Sequence, residues 1–128
     1  MNTNEQKTIP VAIYTRAAAT DAGRLAAQRE VGETYIASRP DERLAVLPER
    51  YEDDGFSGNT VDRPGLRRLM ADVAAGKIDR VVVERFDRLA RDQALFAELA
   101  AFFRRHGVDV ISNSVAETDN LLKTGEGK

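Results

Sequence analysis

Cysteine is absent from the 128 residues, which excludes disulfides and thiolate metal sites. One histidine, His106, leaves no histidine metal cluster. Tryptophan is also absent, and the five phenylalanines are too few and too helical in spacing for a base-stacking platform. No apolar run approaches the ~20 residues of a membrane span. Residues 1–8 are polar and lack the apolar stretch of a signal peptide. A cytoplasmic protein with no membrane partner is therefore expected. Nor is there a basic excess: 19 basic residues stand against 21 acidic ones, a formal charge of −2. That argues against a general basic coat for nucleic acid and leaves room for a local basic cluster.

What is present suits one domain. The chain is 42% hydrophobic, enough for a single core, and too ordered in composition for a disordered tail. Of the basic residues 15 are Arg and 4 are Lys. Arg is the better bidentate clamp for phosphate or carboxylate. The bland counterpart is a GC-rich coding sequence, which the abundance of alanine also fits.

Residues 10–14 (PVAIY) read as a buried strand. Thr20 or Asp21 caps a helix to about Ser38, with Leu25, Gln28, Gly32, Tyr35 and Ile36 near one face. Residues 44–47 read as a second strand continuing toward Tyr51, with Pro48 favouring an edge position. A polar, glycine-punctuated loop follows over 52–60. Pro64 suits the first turn of a helix that carries Leu66, Leu69, Met70 and Val73 inward and ends at Gly76. Residues 78–83 (IDRVVV) read as a central parallel strand. Asp92 caps a helix reaching His106, and residues 108–112 form a further strand. The single histidine, before a helix-ending glycine, reads as a partner of the helix dipole. The order βαβαβαβ predicts an α/β fold: a mostly parallel four- to five-stranded sheet with helices packed on it and right-handed crossovers.

On that scheme the conspicuous polar residues collect. Arg16 follows the first strand, Asp53, Asp54, Ser57 and Arg63 follow the second, and Arg85, Asp87, Arg88 and Arg91 follow the third. In an open α/β sheet the carboxyl ends of parallel strands share one edge, where ligands bind. An Arg-rich cleft for a phosphoryl group is predicted there, with no metal required, because guanidiniums can neutralise a pentacovalent phosphate. The competing expectation is that these arginines pair with Asp53, Asp54, Asp62, Asp87 and Asp92 as surface ion pairs of small worth.

Tyr14-Thr15-Arg16, Gln28, Asp54-Gly55-Phe56-Ser57-Gly58, Asp62-Arg63-Pro64-Gly65-Leu66 and Asp87-Arg88-Leu89-Ala90-Arg91 occur in that order. The ordered set resembles the catalytic domain of the serine recombinase family (resolvases, invertases and large serine integrases) over roughly residues 11–112. The resemblance implies a resolvase-like catalytic domain over 9–117, a flexible segment 1–8 and a tail 118–128 that begins a truncated region. It implies attack of a serine hydroxyl on a DNA phosphodiester, a 5′-phosphoserine link, then strand exchange and religation. Double-stranded DNA at a crossover site would be the partner, and the full-length protein a dimer or tetramer of bacterial or phage origin. No cofactor, metal or small-molecule substrate is implied. Arg16, Arg63, Arg88 and Arg91 would hold the phosphate, and Asp87 would orient arginines or assist proton transfer. Gln28 and Ser57 would support the site, Tyr14 would border it, and Asp54 would pair with an arginine.

Two departures accompany the resemblance. The family pattern places serine two residues after the first arginine, and here that position is Ala18. A methyl group cannot attack phosphorus, so cleavage by the family's route is not expected. Thr20 reads as a cap and Ser57 as a supporting loop serine, neither as a substitute nucleophile. The family also continues into a long helix and a basic DNA-binding region, whereas this sequence stops at Lys128. The alternative reading is a non-catalytic DNA-associated or oligomerisation module that keeps the phosphate cleft. A phosphoacceptor receiver domain and a metal-dependent nuclease or topoisomerase fold fit poorly. The first lacks its acidic pair after the first strand, and the second meets Arg85, Asp87 and Arg88 where an acidic pair is needed.

Overall fold

β1 (Ile9–Ala17) is the axis of the sheet, and every residue from Val11 to Ala17 is buried. A parallel strand covered by helices on both faces needs consecutive apolar residues, which Val11-Ala12-Ile13-Tyr14 supplies. The computed structural model describes residues 7–113. The expected flexible start and tail fall largely or wholly outside them.

The chain continues through α1 (Ala22–Ala37), a 3₁₀ turn at Pro40–Glu42, β2 (Leu44–Val46), β3 (Tyr51–Asp54) and α2 (Pro64–Ala74). Then come β4 (Arg80–Val83), a 3₁₀ turn at Phe86–Arg88, α3 (Gln93–Arg105) and β5 (Asp109–Ser112). All pairings are parallel, in the order β2-β1-β4-β5, with β3 also paired to β1. β2 pairs with β1 at Ile9 to Val11 and β3 at Tyr14 to Ala17. The expected single strand from 44 toward 51 is thus two strands. Pro48 has no amide to donate, and the ladder breaks there. Part of the expected 52–60 loop is the strand β3.

The two faces of β1 enter two cores. Val11 and Ile13 join Val82, with Tyr35 and Ile36 of α1 packed against them. Ala12 and Tyr14 join Leu66, Leu69 and Val73 of α2 and Leu99 and Phe103 of α3. Each such buried aliphatic or aromatic side chain contributes roughly 1.5–3 kcal/mol. α1 is held closely: a Cβ at Gly32 would lie 3.0 Å from Cγ2 of Ile13.

Caps explain where the helices start. The Asp21 carboxylate accepts from the Arg24 amide at 3.0 Å, and Asp92 accepts from the Leu95 amide at 2.8 Å. α2 starts at Pro64 with no side-chain cap from its own N-cap residue, Arg63. Its free amides are met from β3, as described below. Among the described residues, no helix is long and apolar enough to cross a membrane.

Candidate functional site

Arg16 lies inside β1, not beyond it, and is fully buried. Gln28 of α1 brackets its backbone, accepting from the Arg16 amide at 3.1 Å and donating to the Arg16 carbonyl at 2.9 Å. The Arg16 guanidinium is engaged by carbonyls on three sides. Nε donates to Arg88 O at 2.9 Å, Nη1 to Phe56 O at 3.1 Å and Nη2 to Asp87 O at 2.7 Å. Gly58 makes room for it: a Cβ there would stand 2.7 Å from Arg16 Nη2 and 2.7 Å from Arg91 Cγ.

Arg63 is equally buried. Its Nε donates to Thr60 O at 2.7 Å, Nη1 to Arg88 O at 3.1 Å, and Nη2 to the Leu89 carbonyl. Nη1 also donates to the Tyr14 hydroxyl at 3.0 Å, which in turn donates to Asp53 Oδ2 at 2.6 Å. The Asp53 carboxylate accepts further from the amides of Gly65 at 2.7 Å and Leu66 at 2.9 Å. It caps α2 from another strand, where negative charge also suits the helix dipole. Burial pushes the Tyr14 phenol well above its usual pKa, against the pull of the Arg63 charge. It therefore remains the donor to Asp53. Burial first, and the Arg63 charge next, lower the pKa of Arg16.

The two buried guanidiniums therefore converge on three consecutive carbonyls, those of Asp87, Arg88 and Leu89, and clamp the segment after β4. This corrects the expected open cleft of four converging arginines. Arg91 is exposed and Arg88 keeps a side-chain exposure of 16%. Arg16 and Arg63 lie beneath the surface, where carbonyl dipoles supply the partners that a buried charge requires.

Around this clamp the other expected residues take varied places. Ala18 is exposed just past the end of β1. Asp54 does not pair with an arginine: its Oδ1 accepts from the Asp21 amide at 2.7 Å, tying β3 to the start of α1. Ser57 is exposed, and its hydroxyl accepts from the Asn59 amide at 3.0 Å. Asp87 Oδ2 is 3.8 Å from Arg85 Nε, while Oδ1 is buried without a hydrogen-bond partner. Of the expected acid–arginine pairs, that of Asp87 with Arg85 forms, while Asp62 meets Arg67, an arginine outside the expected set, at 3.3 Å on the surface. Arg88 instead takes Glu84, at 3.1 Å.

Sequence reasoning set Asp53 at the cleft without its role as the cap of α2, and passed over Glu84. Asp53 was discoverable, because the strand period of two puts it in phase with the buried Tyr51 and leaves Asp54 outward. No comparable pattern marks Glu84.

Residues 11–126 match the family described as "Resolvase, N terminal domain". A stretch of 42 residues, 33% of this chain, is 45% identical to a Bacillus subtilis (strain 168) protein named "Putative DNA recombinase". That stretch spans 8% of the relative's length. The fold is similar to the N-terminal catalytic domain of TP901-1 integrase, with TM-score 0.72 and 30% identity over 85% of this chain and 78% of that one. It is also similar to the C-terminal catalytic domain of ISC1926 TnpA, an IS607-like serine recombinase. There the TM-score is 0.73, with 26% identity over 83% of this chain and 71% of that one.

Proposed function

Since this chain belongs to the resolvase family of serine recombinases, we propose that it is the catalytic-type domain of a site-specific DNA recombination protein. In this reading it engages the phosphodiester backbone of double-stranded DNA without forming a phosphoserine link. The carrying observation is Ala18, exposed immediately beyond β1 and two residues from the buried Arg16. A side chain with no hydroxyl has no lone pair to form the covalent bond.

In this reading Arg88 and Arg91 meet the phosphate, because their side chains reach solvent. Arg16 and Arg63 position the segment that carries them by holding its carbonyls. Arg16 reaches a phosphate only after giving those carbonyls up. Asp87 sets the local field of the arginines, Gln28 fixes the end of β1, and Ser57 shapes the loop that covers Arg16. Tyr14 links Arg63 to Asp53, and Asp54 ties β3 to α1. No metal or nucleotide has a part in these roles. Dimer or tetramer formation on DNA is part of the same reading.

Ala18 together with the closed arginine clamp favours one second reading. In it the domain serves DNA-bound assembly without any cleavage, even when a serine is restored. Incubation with duplex DNA followed by denaturing electrophoresis tests the first reading. No covalent protein–DNA species is expected, and Arg88→Ala or Arg91→Ala should weaken retention of the duplex under native conditions. A covalent species from the unaltered chain, or binding indifferent to both arginines, overturns it. An Ala18→Ser chain that forms the adduct rejects the second reading.

A further inference from the structure

Resting on the reading of residues 84–91 as a phosphate-facing segment, we propose that Glu84 is a built-in competitor for the phosphodiester, one that occupies Arg88 in the DNA-free chain and sets how tightly DNA is held. Arg88 Nε and Nη2 both donate to Glu84 Oε1, at 3.2 and 3.1 Å. That edge of a guanidinium is one of the two that grip phosphate oxygens in pairs. Glu84 follows β4 and Arg88 closes the 3₁₀ turn, so the backbone sets their separation. The main chain of Arg88 is fixed as well. Its carbonyl accepts from Arg16 Nε and Arg63 Nη1, and its amide donates to Arg85 O at 3.0 Å. Only the side chain is left to exchange one anion for another.

The surroundings make the exchange consequential. Glu84 and Arg88 line an open groove of about 330 Å³ together with Asp21, Arg24, Ala27 and Gln28 of the α1 side. Asp21 and Arg24 form their own pair at 3.7 Å. Two carboxylates thus balance two guanidiniums, and an arriving phosphodiester meets a formally neutral groove. Binding requires Glu84 to leave Arg88. With side-chain exposures of 16% for Arg88 and 32% for Glu84, the pair is less screened than one fully in water.

The test is a titration of the 128-residue chain with inorganic sulfate, followed through the Arg88 Nε–Hε resonance, and with a short DNA duplex by fluorescence anisotropy. Glu84→Gln should bind both about two- to five-fold more tightly, the range that an ion pair of modest worth converts to. Glu84→Ala should repeat the gain should Gln perturb the turn. Glu98→Gln makes the same charge change on an exposed face of α3 and should leave affinity unaltered. In an Arg88→Ala background the gain should vanish. Weaker binding by Glu84→Gln makes Glu84 a brace for Arg88 and overturns the proposal. So does unchanged affinity in a chain whose binding still depends on Arg88, and that result leaves the phosphate-facing reading intact. Absence of Arg88-dependent binding in every variant overturns both.

Discussion

Replacing Asp53 by alanine should be among the most damaging single changes available in this domain. Its carboxylate is 1% exposed and accepts three hydrogen bonds, from the Tyr14 hydroxyl and the amides of Gly65 and Leu66. Alanine leaves two helix-start amides and a buried phenol unmatched. It also removes the acid linked through Tyr14 to the buried Arg63. Loss of a helix cap costs about 0.5–2 kcal/mol, and each buried polar group left unmatched costs about 1–3 kcal/mol. These losses overlap, and about 3–5 kcal/mol is expected, as for breaking one side of a buried charge pair. For a domain of this size that corresponds to a fall in Tm of roughly 10–20 °C. Urea unfolding followed by circular dichroism measures it, with Asp54→Ala as the control. Asp54 is half-buried and meets the Asp21 amide, so its loss should cost about 1 kcal/mol. An Asp53→Ala cost below that of Asp54→Ala refutes the assignment of Asp53 as the remote cap of α2.

Alkaline pH should unfold the domain through its buried phenols. Tyr14 and Tyr51 are both held above the ordinary value of 10.0, each chiefly by burial, and Tyr51 next by its hydrogen bond to Asp72. The unfolded chain releases these protons near pH 10 and the folded chain retains them. Stability is therefore full below that pH and falls above it, by up to about 1.4 kcal/mol per pH unit for each tyrosine. Urea midpoints across pH 8–11 measure the slope, and Tyr51→Phe should shallow it. Gly65→Ala should destabilise by about 3 kcal/mol, because its Cβ would stand 2.5 Å from the Glu52 carbonyl oxygen, in backbone that cannot move aside. A thermal melt within 2 °C of the unaltered chain would contradict that packing. Ala18→Ser, at an exposed position, should shift stability by less than about 0.5 kcal/mol. Any larger change in the melt would show that the methyl packs against the protein.

Local chemistry made much of this molecule legible in its sequence. Asp21 and Asp92 announce helix starts because an aspartate can cap its own helix, and Pro64 announces another because its missing amide is not needed there. Val81, Val82 and Val83 announce a central strand through a run of β-branched residues. That position 18 carries a methyl and no hydroxyl is also legible directly, since it is a property of the residue itself. Tertiary structure alone decided what the arginines do. Arg16 finds its guanidinium partners 40, 71 and 72 positions away, and they are main-chain carbonyls. Every residue carries such a carbonyl, so no residue type marks the partner in advance. The choice between Asp53 and Asp54 rested on the phase of β3, readable once the strand is taken to restart at Tyr51 after the break at Pro48. The pairing of Arg88 with Glu84 rested on a turn geometry set by two guanidiniums from other strands and loops. Periodicity and capping are local and therefore written along the chain. The partner of a buried charge is settled only when distant backbone is brought within reach.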